Sequence, residues 1–196
     1  MQNIFDSLIN SYIDNKVGIV ENFLPHSLAL RLRNNLLKVY DEKQFISAGT
    51  GNEKATQNKS VRSDIIYWLD RNHDAPHEND FFDLVDAFVS HLNNTCYTGI
   101  TGYEFHYALY ETGSFYKKHM DQFRNNDSRK YSMIMYLNEG WQDGDGGELN
   151  IHHEGWVQNI SPINGKSVFF KSNELEHEVL VAHKPRMSIT GWLKVG

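Results

Sequence analysis

The sequence contains a single cysteine, Cys96, among its 196 residues. It can therefore form no internal disulfide and no zinc site built from several cysteines. The first residues lack the basic start and apolar run of a signal peptide. No stretch approaches the roughly 20 apolar residues that are needed to span a bilayer. We therefore expect a soluble, cytoplasmic protein without a membrane partner.

Positive charge is also scarce, because 19 Lys and Arg residues stand against 25 Asp and Glu residues and give a formal net charge of −6. Surfaces that bind nucleic acid need basic residues to displace the counterions of the phosphates. We therefore expect no nucleic-acid partner. Only four prolines and an aromatic content of 13% exclude a wholly disordered chain. The length predicts one domain, over residues 1–196, that is large enough to bury a full core.

Helical periodicity dominates the first half of the chain. Apolar residues recur at helical spacing over residues 4–12, 28–39 and 81–92, whereas the short apolar runs at 17–23 and 65–69 indicate strands. Residues 48–60 are polar and contain two glycines, which is typical of a long exposed loop.

Beyond Gly102 the chain becomes a series of short segments rich in aromatic and β-branched residues, separated by turn signals. They cover residues 103–110, 131–137, 148–152, 166–170, 178–181 and 187–193. A helical part at about 1–100 followed by such strands at about 101–196 predicts an α+β fold. Its expected form is a double-stranded β-helix, or jelly roll, with the N-terminal helices packed on one sheet.

Two H-x-[DE] motifs are candidates for metal binding. Residues i and i+2 of an extended chain point to the same side, so an imidazole and a carboxylate can converge on one ion. With 10 histidines and 25 acidic residues, such a motif arises about once by chance, and either one alone is weak. We interpret His152 and Glu154 as a solvated hairpin end, because Gly155 follows. His119 and Asp121 are the stronger pair.

His177 could complete a site with His119 and Asp121. Two histidines and one carboxylate on one face of iron leave coordination positions open, as in non-haem Fe(II) oxygenases. By itself, His177 could equally be an ordinary strand histidine.

The last two predicted strands, at 176–181 and 186–193, flank a loop of hairpin size. If Val181 pairs with Arg186, then His177 faces Thr190, and Arg186 lies roughly 13 Å along the strand from the level of His177. A metal-bound five-carbon diacid together with the arginine side chain fills that distance, and a buried guanidinium needs such a carboxylate. The alternative is a surface arginine that opens a strand. Directly paired residues share a face, so the metal side is expected to carry Arg186, Ser188, Thr190 and Trp192.

These residues belong to an ordered set of short motifs. The set consists of Arg62-Ser63-Asp64, Tyr110-x-x-Gly113-x-Phe115-Tyr116-x-x-His119-x-Asp121, Phe123-Arg124-x-x-Asp127-x-Arg129, Tyr136-Leu137-Asn138-x-x-Trp141, Gly146-Gly147-Glu148-Leu149, Pro162-x-x-Gly165, Phe169-Phe170-x-Ser172, His177-Glu178-Val179 and Arg186-x-Ser188-Ile189-Thr190-x-Trp192. Over about residues 46–193, it resembles the prolyl 4-hydroxylase branch of the 2-oxoglutarate oxygenases. The resemblance is strongest to bacterial relatives of the hypoxia-inducible-factor prolyl hydroxylases. Ser63 departs from the pattern, because the hypoxia-type enzymes have glycine there.

The resemblance implies a role for each matching residue. The implied iron ligands are His119, Asp121 and His177. The implied residues for 2-oxoglutarate are Arg186 and Tyr136, which would bind its distal carboxylate, with Thr190 beside it and Tyr110 beside either the cosubstrate or the substrate. The implied substrate residues are Arg62 and Asp64 at the entrance, with 48–60 as a flap, and Trp192 in the wall. For these last three, a surface ion pair and ordinary core packing stay open as alternatives.

The resemblance also implies a reaction. Fe(II), 2-oxoglutarate and O2, with ascorbate as reductant, would hydroxylate an unactivated C–H bond and release succinate and CO2. The implied substrate is a prolyl residue in a loop of another protein, with a translation factor such as elongation factor Tu as one candidate. Two alternatives are the same chemistry on a small metabolite or another side chain, and a non-catalytic iron-binding jelly roll that senses or stores iron. Arg186 and Tyr136 favour an enzyme, because a pure metal-binding module needs no buried receptor for a diacid.

Overall fold

The computed structural model describes residues 2–49, 58–122 and 127–196. Part of the predicted flap at 48–60, and Phe123 and Arg124 of the quoted motifs, lie outside the described residues. The helices are α1 (Gln2–Asn15), α2 (His26–Asp41) and α3 (Pro76–Cys96), with a short 3-10 helix at Arg71–His73. The strands are β1 (Val17–Glu21), β2 (Ile46–Ser47), β3 (Ile65–Trp68), β4 (Gly102–Tyr110), β5 (Tyr116–His119), β6 (Arg129–Tyr136), β7 (Leu149–His153), β8 (Trp156–Ile160), β9 (Lys166–Lys171), β10 (Glu176–Val179) and β11 (Arg186–Lys194).

The described strands form two antiparallel sheets. The larger sheet has the order β1-β9-β6-β11-β4-β3-β2, and the smaller has the order β5-β10-β7-β8. Strands that are distant in sequence are therefore neighbours, as expected for a jelly roll. None of the described helices is long and apolar enough to cross a membrane.

The larger sheet buries both of its faces. Along β4, Phe105, Tyr107 and Leu109 belong to the apolar cluster that includes the helices, whereas Ala108 and Tyr110 belong to the cluster between the two sheets. This alternation follows from the period of two in a strand. The predicted α+β fold, with N-terminal helices packed on one sheet of a jelly roll, is confirmed.

The helices dock closely on the sheet. Helix α1 buries Phe5, Leu8 and Ile9 along one face, and it leads directly into β1. Gly18 permits the close approach of these two elements, because a Cβ atom there would lie 2.6 Å from the carbonyl oxygen of Leu8. The helical face therefore covers the outer side of the larger sheet.

The predicted hairpin between the last two strands is wrong. Strand β10 pairs with β5 and β7 in the smaller sheet, whereas β11 pairs with β4 and β6 in the larger one. The segment between them crosses from one sheet to the other, and Ala182 forms a bridge to Gly146 on the way. Residues of β11 still face the metal side, because alternate residues of both sheets point into the space between them.

Several other boundaries differ from the predictions. The part before residue 101 also contributes strands β1, β2 and β3 to the larger sheet, so it is more than a helical buttress. Helix α3 is longer than 81–92 and begins with a proline, which suits the first turn because its missing N–H has no helical partner there. Strands β5 and β8 were not predicted as strands. The interpretation of His152 as a hairpin end agrees with the tight β7–β8 pairing.

Candidate active site

The three predicted metal ligands converge between the two sheets. His119 is the last residue of β5 and is directly paired with His177 of β10. Asp121 follows two residues later and completes the group. One ligand atom from each side chain lies within 4.8 Å of the other two. The spacing fits a single ion held by two imidazoles and one carboxylate.

Backbone carbonyls orient both imidazoles. Nδ1 of His119 lies 2.8 Å from the carbonyl oxygen of Lys117, and Nδ1 of His177 lies 3.3 Å from that of Leu175. A carbonyl accepts only a hydrogen bond, so it selects the tautomer in which Nδ1 carries the proton. With Nδ1 protonated, Nε2 of each ring has the lone pair that can bind a metal ion. Such outer partners are typical of metal-bound histidines.

The carboxylate of Asp121 lies between the Nε2 atoms of the two histidines. Asp121 Oδ1 lies 3.4 Å from Nε2 of His119, and Oδ2 lies 3.5 Å from Nε2 of His177. Burial disfavours its charged form, but the two histidines outweigh burial and hold the pKa of Asp121 well below its usual value. Asp121 is therefore an anion, which is the form that binds a metal.

A buried arginine lies in the same cavity. Arg186 opens β11 and is 1% exposed, and its Nε donates to the carbonyl oxygen of Gly147 at 2.8 Å. Among the residues that the structure describes, no carboxylate pairs with it. A buried guanidinium without a carboxylate is unfavourable, so a bound anion fits this position.

Gly147 makes room for that arginine. A Cβ atom at Gly147 would lie 2.9 Å from Cδ of Arg186, and the residue has a φ of +65° that favours glycine. This contact gives the Gly146-Gly147 motif a physical reason.

Two tyrosines flank the Arg186 guanidinium. Their ring centroids lie 4.8 Å (Tyr110) and 5.0 Å (Tyr136) from its Cζ. Burial raises the pKa of both phenols, so both keep their hydroxyl proton. The hydroxyl of Tyr136 has no hydrogen-bond partner among the described residues. Thr190 lines the cavity with Arg186 and Tyr110. The arrangement offers charge and hydroxyl donors to a carboxylate.

The predicted entrance residues form a buried ion pair rather than a surface one. Nε and Nη2 of Arg62 donate to the two carboxylate oxygens of Asp64 at 2.8 and 2.6 Å. The guanidinium also lies 4.1 Å from the centre of the Tyr116 ring, and the same ring stacks in parallel on His119 with centroids 3.5 Å apart. The pair is therefore connected to a metal ligand through one aromatic ring. The departure at Ser63 is accommodated, because its hydroxyl accepts a hydrogen bond from the backbone N–H of Phe115 at 3.1 Å.

One cavity of about 470 Å³ joins these parts. Its walls include the metal ligands, Arg186, Trp192 and Arg62. This volume lies within the range of small-molecule sites, about 300–1,000 Å³. The second H-x-[DE] motif does not belong to this cavity. Its His152 pairs with Glu178 at 3.0 Å and does not line the cavity.

Comparisons with known proteins agree with this geometry. A prolyl-4-hydroxylase of Pseudomonas putida is 30% identical in sequence, with a TM-score of 0.89, and the match covers 98% of this chain and 100% of that chain. A prolyl hydroxylase of Trichoplax adhaerens, solved with a peptide of the hypoxia-inducible-factor oxygen degradation domain, is 25% identical, with a TM-score of 0.87 over 98% of this chain and 90% of that chain. The family model of the 2OG-Fe(II) oxygenase superfamily matches residues 105–194. This chain belongs to the 2OG-Fe(II) oxygenases.

A curated relative is longer than this oxygenase chain. The hypoxia-inducible factor prolyl hydroxylase of Caenorhabditis elegans is 29% identical over 203 residues, which cover 96% of this chain and 28% of that protein. The predicted family, and with it the cofactor set of Fe(II), 2-oxoglutarate and O2, is confirmed. The assignments of single residues and the use of ascorbate stay predictions.

Two residues of this oxygenase site were missed from the sequence. Ser132 donates from Oγ to Oδ2 of Asp121 at 2.6 Å, and His106 lines the cavity beside Trp192. Ser132 could have been found, because it alternates along β6 with two residues of the cluster between the sheets, Ile134 and Tyr136. His106 alternates in the same way with Ala108 and Tyr110 along β4, but a lone histidine in a strand is most often an ordinary packed residue.

Proposed function

We propose that this chain is an Fe(II)- and 2-oxoglutarate-dependent dioxygenase that hydroxylates a prolyl residue in a loop of another protein. The observation that carries the proposal is the shared cavity of His119, Asp121 and His177 with the unpaired, buried Arg186. A site that only binds a metal ion does not need a buried guanidinium beside it. The combination suits a metal and a dianionic cosubstrate that bridges the ion and the guanidinium.

Each residue has a separate task in this proposal. His119, Asp121 and His177 hold Fe(II) with one anionic and two neutral ligands, which leaves positions for small ligands. Arg186 pairs with the distal carboxylate of 2-oxoglutarate, and the free hydroxyl of Tyr136 donates a hydrogen bond to it. Tyr110 and Thr190 line the same cavity and fix the orientation of the cosubstrate.

Bound Fe(II), with 2-oxoglutarate and O2, supplies the oxidation that couples release of succinate and CO2 to hydroxylation of a C–H bond. The chain excludes water from this chemistry with the aromatic and aliphatic walls of the cavity, among them Trp192, Tyr116 and Leu149. The substrate enters on the Trp192 side of the cavity, because Trp192 lies six residues along β11 from Arg186.

The prolyl substrate is supported by the relatives rather than by any one contact. The Pseudomonas putida protein, matched over its whole length, is a prolyl-4-hydroxylase, and the Trichoplax adhaerens protein binds a peptide of a hypoxia-inducible factor. A polypeptide substrate also suits an open end lined by aromatic side chains. By resemblance to the bacterial relatives, a translation factor such as elongation factor Tu is the first whole protein to test.

The experiment measures succinate formation by the purified protein with Fe(II), 2-oxoglutarate, O2 and a panel of prolyl peptides, with and without ascorbate. We expect turnover that requires Fe(II) and O2 and that a prolyl peptide stimulates, with a gain of one oxygen atom on the proline by mass spectrometry. Matched peptides with alanine in place of proline are the control. Stimulation by a free metabolite but by no prolyl peptide would establish the small-molecule alternative. Iron binding without any turnover of 2-oxoglutarate would establish the sensor alternative.

A further inference from the structure

The outer wall of the cavity carries a row of three rings from neighbouring strands. Trp68 of β3 and His106 of β4 are directly paired, and their ring centroids are 4.9 Å apart. On its other side, His106 contacts Trp192 of β11, with 5.5 Å between the centroids. All three line the cavity that holds the candidate metal ligands. A molecule bound against this wall therefore contacts the row.

Two buried polar atoms of this ring row have no hydrogen-bond partner among the described residues. They are Nδ1 of His106, which is 3% exposed, and Nε1 of Trp192, which is 7% exposed. Unpartnered buried polar atoms are uncommon because they destabilise the fold, and an apolar side chain of similar size would avoid that cost. Two such atoms on adjacent rings in one cavity wall indicate that a ligand supplies their partners.

The surroundings keep His106 neutral. Burial, reinforced by the positive charges of Arg62 and Arg129, lowers its pKa to about 3. A neutral imidazole carries one N–H donor, and the indole of Trp192 is a donor and never an acceptor. In the tautomer that carries its proton on Nδ1, His106 presents one hydrogen-bond donor to a ligand and Trp192 presents a second.

Carboxylates near the ring row are already engaged. Asp64 accepts from Arg62 at 2.6 Å, and Glu104 pairs with Arg129 at 2.7 Å. The guanidinium of Arg129 also lies 3.4 Å above the ring of Trp192 and holds the indole in place. The wall thus has donors to offer and few acceptors, so it suits a ligand that presents acceptors.

We propose that His106 and Trp192 determine substrate specificity by donating hydrogen bonds, from Nδ1 and Nε1, to the two peptide carbonyls that flank the hydroxylated prolyl residue. This inference rests on the proposed function and adds the means by which the substrate is recognised. The nitrogen of proline carries no hydrogen, so a prolyl residue presents acceptors to this wall and no N–H of its own.

The test uses the full chain with Fe(II) and 2-oxoglutarate under anaerobic conditions, and it measures the affinity for a prolyl peptide by calorimetry. Two analogues of the peptide carry an alkene in place of the peptide bond before or after the proline, which removes one carbonyl each. The variants are His106→Leu and Trp192→Phe, which remove the donors, and His106→Asn, which keeps an N–H near the position of Nδ1.

We expect His106→Leu to weaken binding of the unmodified peptide about tenfold, as for one hydrogen bond in a buried site. The unaltered protein should bind one alkene analogue about tenfold more weakly than it binds the unmodified peptide. The His106→Leu variant should bind that analogue no more weakly than the unaltered protein does, because both changes remove the same contact. Trp192→Phe should show this pattern with the other analogue. His106→Asn should recover part of the loss.

The melting temperature separates recognition from packing. Since Nδ1 of His106 has no partner without substrate, His106→Leu should leave the melting temperature unchanged or raise it. A lower melting temperature together with additive losses for variant and analogue would overturn this inference while peptide hydroxylation still supports the proposed function. An unaltered protein that binds and hydroxylates no prolyl peptide would overturn both.

Discussion

The hydroxyl of the buried Ser132 donates a hydrogen bond to Oδ2 of Asp121 across 2.6 Å. The same hydroxyl lies 2.9 Å from Oγ of Ser172, whose side chain is also buried. The carboxylate of Asp121 is therefore held in one orientation before any ion arrives. Ordering the ligand in advance reduces the conformational entropy that metal binding must overcome.

Removing this hydroxyl should loosen the metal site without removing a ligand. We expect Ser132→Ala to lower the affinity for Fe(II) roughly 10–100-fold, which is the usual effect of losing an outer partner. Anaerobic titration with Co(II), followed by its absorption spectrum, measures the change. Ser132→Thr keeps the hydroxyl and is the matched control. Equal affinities for the alanine and threonine variants would show that the hydrogen bond is unimportant.

Removing a metal ligand should have a larger effect. His119→Ala and Asp121→Ala are each expected to abolish succinate formation and to weaken metal binding, because two remaining ligands hold iron poorly. The control is His152→Ala, which alters the other H-x-[DE] motif and an ion pair with Glu178 outside the cavity. Both quantities should be measured in parallel. Loss of metal binding in the His152 variant as severe as in the His119 variant would contradict the proposed ligand set.

The metal site could be predicted because its components are short-range or belong to a recognisable pattern. His119 and Asp121 are two residues apart, so their proximity follows from local geometry alone. His177 joined them through the ordered motifs, although its strand partner was assigned incorrectly. Periodicity tells which residues share a face of a strand, but it does not tell which strand lies alongside. For this reason, the inward face of β11 was predicted correctly and its pairing with β10 was not.

Other features depend on tertiary contacts that no local pattern encodes. Strand β8 has exposed apolar residues at Trp156 and Val157 and was not recognised as a strand. The Arg62 and Asp64 pair has the sequence signature of a surface ion pair, and its burial comes from the strands packed around it. The polar atoms of His106 and Trp192 stand out only because they lack partners among the described residues, and this depends on how the strands pack.

The cosubstrate site makes a quantitative prediction for Arg186. Arg186→Ala should raise the Michaelis constant for 2-oxoglutarate by a factor that corresponds to roughly 2–5 kcal/mol, because it leaves a buried carboxylate unpaired. Tyr136→Phe should have a milder effect of roughly 0.5–3 kcal/mol for one hydrogen bond to a charge. Metal affinity should survive in both variants. Steady-state kinetics with variable 2-oxoglutarate, beside a Co(II) titration, gives both values, and an unchanged Michaelis constant in the alanine variant would exclude Arg186 from the site.

A single methyl group at Gly147 should act on the same site indirectly. Gly147→Ala would place Cβ 2.9 Å from Cδ of Arg186, at a φ of +65° that side chains rarely adopt. The arginine must move or the turn must shift, so we expect a raised Michaelis constant for 2-oxoglutarate and a lower melting temperature. Gly140→Ala is the control, because that glycine also has a positive φ but open space around it. If both variants lose only stability, the contact with Arg186 has no functional role.

The Arg62 and Asp64 pair should stabilise the fold far more than an exposed pair does. The Asp64 side chain is fully buried and that of Arg62 is 13% exposed. Burial lowers the pKa of Arg62, but the bond to Asp64 outweighs burial and raises it, so the guanidinium stays charged. Asp64→Ala would leave the buried charge of Arg62 without its carboxylate partner. We therefore expect a loss of roughly 3–5 kcal/mol in the free energy of unfolding.

The matched comparison for Asp64 is Asp80→Ala, in a pair with Arg31 of similar length, 2.7 Å, whose side chains are about half exposed. An exposed pair contributes roughly 0–1 kcal/mol. Urea unfolding of both variants measures the difference. The two free energies of unfolding are comparable if the variants have similar m values, that is, similar slopes of free energy against urea concentration. If both variants lose a similarly small amount of unfolding free energy, water reaches Arg62 in solution. The Arg62 and Asp64 pair would then behave as an exposed ion pair. A large loss for Asp64→Ala alone would support a rigid anchor beside Tyr116 and His119 in the wall of the cavity.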